Sequence, residues 1–155
     1  MRMKTYVLTL SEVFPKSHVR AGEPTGFREN IFKTKIHTIR ANFDFWRKRF
    51  EKIERGEAEL AIRQWVGKPY GKGSTQRELF RLTREDGIGI QKLKLSSDAL
   101  DGNSLNCFKA NGKTLYLLET LANNDGLTID DWREWFKGYN LTNPLVIIHF
   151  TKFRY

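Results

Sequence analysis

No apolar run in this chain is long, and that limits what it can build. The longest uninterrupted aliphatic stretch is about four residues, Leu145-Val146-Ile147-Ile148. A membrane-spanning helix needs roughly 18–20, so no membrane partner is expected. Short apolar runs cut by Gly, Pro and Asn point instead to short strands joined by turns. Hydrophobic residues still make up 39% and aromatics 13% of the sequence, too many for a disordered chain. With 155 residues the expectation is a single domain over 1–155, large enough to bury one core.

Tyr6-Val7-Leu8-Thr9-Leu10 reads as a first strand. Pro15 to Gly26 reads as a loop, and Phe27 to Thr34 as a short helix. Ile36-His37-Thr38-Ile39 alternates like a half-buried strand. Asn42 to Arg55 is the clearest helix. Asn42 offers an N-cap and Gly56 a stop, and Phe43, Trp46, Phe50 and Ile53 form one stripe. Glu59 to Trp65 reads as a strand, followed by a glycine-rich basic loop over Gly67 to Gly73. Leu79–Leu82 and Gly89–Leu95, flanking Glu85-Asp86-Gly87, are expected to form a hairpin. Residues 96–113 read as loop. Leu115 to Asn123 reads as a helix ended by Asn124-Asp125-Gly126. Thr128 opens another, with Trp132, Trp135 and Phe136 on its apolar face. Leu145 to Phe150 is the last strand. Short strands with flanking helices predict an α+β fold built on a small mixed barrel.

The charge is uneven. Residues 1–95 hold 21 Lys+Arg against 11 Asp+Glu, and residues 96–155 hold 6 against 7. A basic half in a chain of net charge +9 favours an anionic partner, nucleic acid first among them. One cysteine, Cys107, excludes an internal disulfide or a cysteine-based zinc site. His18, His37 and His149 show no metal-ligand spacing, so no metal or other cofactor is expected. His149 reads as structural. Met1-Arg2-Met3-Lys4-Thr5 runs directly into the first strand without an apolar leader. The expected setting is reducing and cytoplasmic.

The densest polar cluster is Lys33-Thr34-Lys35-Ile36-His37-Thr38-Ile39-Arg40. Alternate strand residues share a face, so Thr38 and Arg40 lie together and Lys35 and His37 lie opposite. An irregular start to the strand would let Lys35 and Thr38 reach one pocket. A Thr hydroxyl beside a Lys amine makes a nucleophile and base. The rival reading is an exposed edge strand. Arg63 and Trp65, with Lys68, Tyr70 and Lys72 of the loop that follows, interleave cations and aromatics as a stacked base beside a phosphate requires. Phosphate-binding and nucleophile-elbow signatures are absent.

Lys35-Ile36-His37-Thr38-Ile39-Arg40 resembles the K-x-x-T-[IV]-R motif of ASCH domains, a branch of the PUA-like superfamily. The last strand, Val146 to Phe150, resembles the strand that closes the ASCH barrel. The chain is also similar to phage and Bacteroidetes proteins sharing its H-T-I-R and G-K-P-Y segments, a likeness that carries no activity. The resemblance implies a PUA-like barrel that binds RNA or a modified nucleoside in a basic cleft. Ligand contacts would come from Arg40, His37, Arg63, Trp65, Lys68, Tyr70 and Lys72. DNA is a further possible ligand and a host protein another partner.

One ASCH group, the N4-acetylcytidine amidohydrolases, uses a Lys, a Thr and a Glu. Lys35 and Thr38 match the first two. Asp125, one methylene shorter than Glu, is the best match to the third. This chain carries extra material around residues 41–56 and 66–80. The resemblance therefore implies a binding module first, and an amidohydrolase acting through Lys35, Thr38 and Asp125 as the alternative.

Overall fold

The computed structural model describes residues 3–66, 71–96, 99–100, 108–115 and 117–155. Its α+β chain forms two sheets. One has three strands in the order β1-β3-β4: β1 (Lys4–Leu10), β3 (Ala58–Val66) and β4 (Thr75–Leu82). The other has five in the order β2-β8-β5-β6-β7: β2 (His37–Arg40), β5 (Gly89–Leu95), β6 (Phe108–Ala110), β7 (Lys113–Leu115) and β8 (Leu145–His149). β1 and β3 run parallel and the other pairs antiparallel. A parallel pair needs a long crossover. Here it holds α1 (Phe27–Asn30), β2 and α2 (Phe43–Glu54).

The sequence dictates α2 closely. Asn42 Oδ1 accepts the Phe45 N–H at 3.3 Å, and Gly56 stops the helix at φ 76°. Trp46, Phe50 and Ile53 are buried and Phe43 is half-buried. Burying each large side chain contributes about 2 kcal/mol. That stripe joins Leu60 and Ile62 of β3, Leu93 of β5 and Ile147 of β8 in one core shared by both sheets. In the C-terminal part, α3 (Leu118–Asn124) is followed by α4 (Ile129–Phe136). Thr128 Oγ1 caps α4 by accepting the Asp131 N–H at 3.2 Å, and Trp132 is buried beneath it.

Four expectations change. β4 and β5 do not form a hairpin. β4 pairs with β3, while β5 pairs with β8 and β6. Thr83–Asp86 forms a capped helical turn, with Asp86 Oδ2 accepting the Thr83 N–H at 2.8 Å, and this turn carries the chain from one sheet into the other. Residues 108–113 are not loop, because Asn111 (φ 52°) and Gly112 (φ 81°) make the tight turn of a β6–β7 hairpin that runs on to Leu115, and the helix expected from Leu115 begins at Leu118. The first short helix ends at Asn30 rather than Thr34. Lys68, Tyr70 and Cys107 fall outside the described residues.

Candidate functional site

Lys35 precedes β2 and is not part of it. Phe32 turns the chain at φ 68° and its N–H returns to the Lys35 carbonyl at 2.9 Å. The next residue, Ile36, donates to the Asn124 carbonyl at 2.9 Å, and Lys35 and Asp125 form an antiparallel bridge. The start of β2 is therefore stitched to the end of α3. This irregular start frees Lys35 from the strand's alternation, so it shares a cavity with Thr38.

The end of α3 is shaped to receive Lys35. Leu127 N–H bonds the Ala122 carbonyl and Gly126 N–H the Asn123 carbonyl, both at 3.0 Å, which is a Schellman ending. Gly126 takes φ 81°, and a Cβ there would sit 2.9 Å from Lys35 Cβ. Glycine is needed for both reasons. Lys35 Nζ donates to the Asp125 carbonyl at 2.8 Å and to Asp125 Oδ1 at 3.1 Å. The Phe27 ring centroid lies 4.1 Å from Nζ. A cation here also meets the negative end of α3.

Lys35 is 1% exposed and Asp125 3%. Burial holds the Lys35 amine below the usual lysine range, against the pull of Asp125, and Arg40 lowers it further. Two of the nitrogen's three free positions point at Asp125. One remains for a third proton or a lone pair.

Thr38 and Arg40 follow on β2. Arg40 Nη1 donates to Thr38 Oγ1 at 2.7 Å and to the Ile39 carbonyl at 3.1 Å, and Nη2 donates to the Thr9 carbonyl at 2.5 Å. Because Thr38 Oγ1 accepts from Arg40, its own hydrogen is free for another acceptor. Lys35, Thr38, Arg40 and Asp125 line one cavity of about 230 Å³, walled by Phe27, Trp135 and Tyr139. A convergent set of polar groups with a desolvated amine in a concave site is the usual mark of a functional centre.

Behind Asp125 lies a second polar group. His37 is fully buried and does not line the cavity. Its Nε2 meets Tyr155 Oη at 2.7 Å, and Nδ1 stands 3.5 Å from Asp125 Oδ1. Asn124 Nδ2 donates to Tyr155 Oη at 3.0 Å. His149 Nε2 meets Gln91 Oε1 at 2.9 Å, and the Tyr155 N–H donates to the same oxygen at 3.0 Å. Burial pushes the pKa of both imidazoles down, that of His149 to about 2, and pushes that of the Tyr155 hydroxyl up.

The remaining candidates lie elsewhere. Arg63 is on β3 with Nε 3.6 Å from Glu78 Oε1. Trp65 is half-buried on the same strand, and Lys72 is exposed beyond it. None of the three lines the cavity. Sequence reasoning missed Phe27, Trp135 and Tyr139 as cavity walls, because aromatic periodicity marks a buried face without saying whether that face is open at one edge. It also missed Gly126, whose signal was the Asn-Asp-Gly turn after α3.

Among the described residues no group of His, Cys, Asp and Glu is arranged to hold a metal, and no helix is long and apolar enough to cross a membrane. No family model, curated protein or solved structure matches the chain.

Proposed function

We propose that this chain is an ASCH-type domain of the PUA-like superfamily, with its two sheets as the halves of the barrel. In this reading the cavity takes the acylated base of a modified pyrimidine nucleoside and hydrolyses its exocyclic amide. The observation that carries it is the buried Lys35–Asp125 pair opening on the same cavity as Thr38. A purely ionic anchor for phosphate would gain nothing from a lysine whose charged form is disfavoured by burial, whereas a general base requires one.

Thr38 Oγ1 attacks the acyl carbon as its proton passes to Lys35 in its deprotonated form, which burial makes easier to reach. Arg40, already beside that oxygen, faces the oxyanion that forms. The carbon–nitrogen bond then breaks, and the amine leaves with the proton from Lys35. Water, deprotonated by Lys35, attacks the acyl-threonine ester. Lys35 returns that proton to Thr38 Oγ1 as the ester bond breaks, and the acid leaves as the carboxylate, its proton passing to solvent. Asp125 holds the Lys35 amine in place through its main-chain carbonyl and Oδ1. The shorter carboxylate suffices because the Lys35–Asp125 bridge brings the two main chains together.

The test is release of cytidine and acetate from N4-acetylcytidine. Thr38→Ala should lower the rate at least about 100-fold while the nucleoside still binds. The rate should rise with pH through a group that titrates below the ordinary lysine value of 10.5. Binding without turnover in the unaltered protein would reduce the site to a recognition module. Absence of both binding and turnover would refute the reading.

A further inference from the structure

A second concave surface continues from the cavity. Tyr139 lines both the cavity and a neighbouring cleft of about 520 Å³, edged by Asn140 and Asn143. Phe43 and Lys92 line that cleft and also a third depression of about 510 Å³, which holds Lys94 and Lys109. The sheet register explains the continuity. Arg40 and Lys92 both face Val146, from opposite sides of β8. Directly opposed residues share a face, and strands lie ~4.8 Å apart, so Arg40 and Lys92 sit about 10 Å apart on one face. Lys94, two residues on, projects from that face too.

Lys94 and Lys109 are direct cross-strand partners. Like charges in that position repel. Among the described residues no carboxylate pairs with Lys92, Lys94 or Lys109. Two arginines of α2 and β4 are treated differently: Arg47 is paired with Asp44 and Glu51, and Arg81 with Glu59 and Glu78. Lys92 Nζ instead lies 5.1 Å from the centre of the Phe43 ring. Three unpaired cations beside an aromatic ring match the backbone track and stacking platform of single-strand binding.

We propose that the nucleoside reaches the cavity as part of a single-stranded polynucleotide, whose backbone passes Tyr139 and lies across Lys92, Lys94 and Lys109. This rests on the reading of the cavity as a nucleoside site and names the form in which its substrate arrives. A free nucleoside fills the cavity alone and has no use for the lysines. A strand of about four nucleotides would use both.

The experiment compares the unaltered protein with a variant carrying Lys92→Gln, Lys94→Gln and Lys109→Gln. The probes are a short single-stranded RNA with one central N4-acetylcytidine, its DNA counterpart and the free nucleoside. Each lysine that neutralises a phosphate contributes about −0.7 to the slope of log K against log salt. The triple variant should therefore lose about 2 from that slope, and with it the preference for strand over nucleoside. Lys109→Gln alone should lose about 0.7, which covers the case of a triple variant that folds badly. An unchanged slope in both variants overturns the proposal, as does equal loss of binding to polyglutamate. RNA and DNA probes losing alike supports a backbone track, and so does loss for RNA alone. Failure of the hydrolase reading shows separately, as no turnover of any probe with the slopes still measurable.

Discussion

Asp125 has two sides, and they are built on opposite rules. On one side its oxygens take Lys35, and that pair forms part of a cavity wall with one position of the amine uncommitted. On the other side His37, Asn124, Tyr155, Gln91 and His149 bond to one another, and none of them lines that cavity. Both sides are buried and polar. A closed network fixes a structure, while an open one at similar depth keeps a group for a ligand. The difference teaches that burial of a charge does not by itself mark a site. What marks it is an unused hydrogen-bonding position that opens on a cavity, which the partnerless Nδ1 atoms of His37 and His149 do not.

The largest effect should come from breaking the open side. Lys35→Met leaves Asp125 buried without its cation, and breaking such a pair costs about 3–5 kcal/mol. Urea unfolding measures it. Lys35→Met combined with Asp125→Asn should recover part of that loss. If the double variant is no better than Lys35→Met alone, the pair is not the source of the cost.

The closed side should respond to acid. His149 and His37 are held neutral by burial, below the ordinary value of 6.5. As pH falls below 6.5 the unfolded chain takes up protons that the folded chain refuses, so stability falls, and above 6.5 this contribution is fully present. For His149 the loss accumulates at about 1.4 kcal/mol per pH unit, or roughly 2–3 kcal/mol by pH 4.5, and continues toward about pH 2. His149→Leu should flatten that slope. Its Nδ1 has no hydrogen-bond partner, and Gln91 Oε1 keeps the Tyr155 N–H. Stability against pH for the two proteins decides it, and parallel curves would remove His149 from the account.

Gly126 tests how tightly the open side is fitted. Gly126→Ala forces a Cβ into a φ of 81° and against Lys35 Cβ. A cost of about 1–3 kcal/mol is expected. Gly126→Asn keeps the backbone preference but not the space, so it separates strain from crowding. Nucleoside turnover should fall in both variants through displacement of Lys35.

Much of this arrangement is legible in the sequence. Asn42, Thr128 and the stripe from Trp46 to Ile53 announce α2 and α4 through local capping and periodicity, which involve neighbours a few residues apart. Lys35, Thr38 and Arg40 stand out as a cluster for the same reason. Asp125 comes from the resemblance, because nothing local ties it to a residue 90 positions away. The hairpin assigned to Leu79–Leu82 and Gly89–Leu95 fails because both segments alternate well, and alternation does not name a partner. The true hairpin signal, Asn111-Gly112, lies in a stretch so rich in Gly and Asn that it reads as loop. Arg63 and Arg40 look alike as strand arginines. One is satisfied by Glu78 on β4 and the other by main-chain carbonyls and Thr38, a distinction that only the sheet register makes.

The smallest effect is the most specific. Tyr155 Oη accepts from Asn124, and with its single hydrogen given to His37 Nε2 it both accepts and donates. That fixes the neutral imidazole with its proton on Nδ1, the nitrogen 3.5 Å from Asp125 Oδ1. At that length the contact is electrostatic rather than a full hydrogen bond. Tyr155→Phe removes the hydroxyl and leaves the ring, whose packing against Phe108 and Phe153 remains. The stability cost should be about 1 kcal/mol. Nitrogen-15 spectra of the His37 ring supply the readout that packing alone would not move. The unaltered protein should show a protonated Nδ1 and an unprotonated Nε2, and Tyr155→Phe should show a mixture. A His37 already mixed, or protonated at Nε2, would break the chain of donors that joins the closed side to the open one.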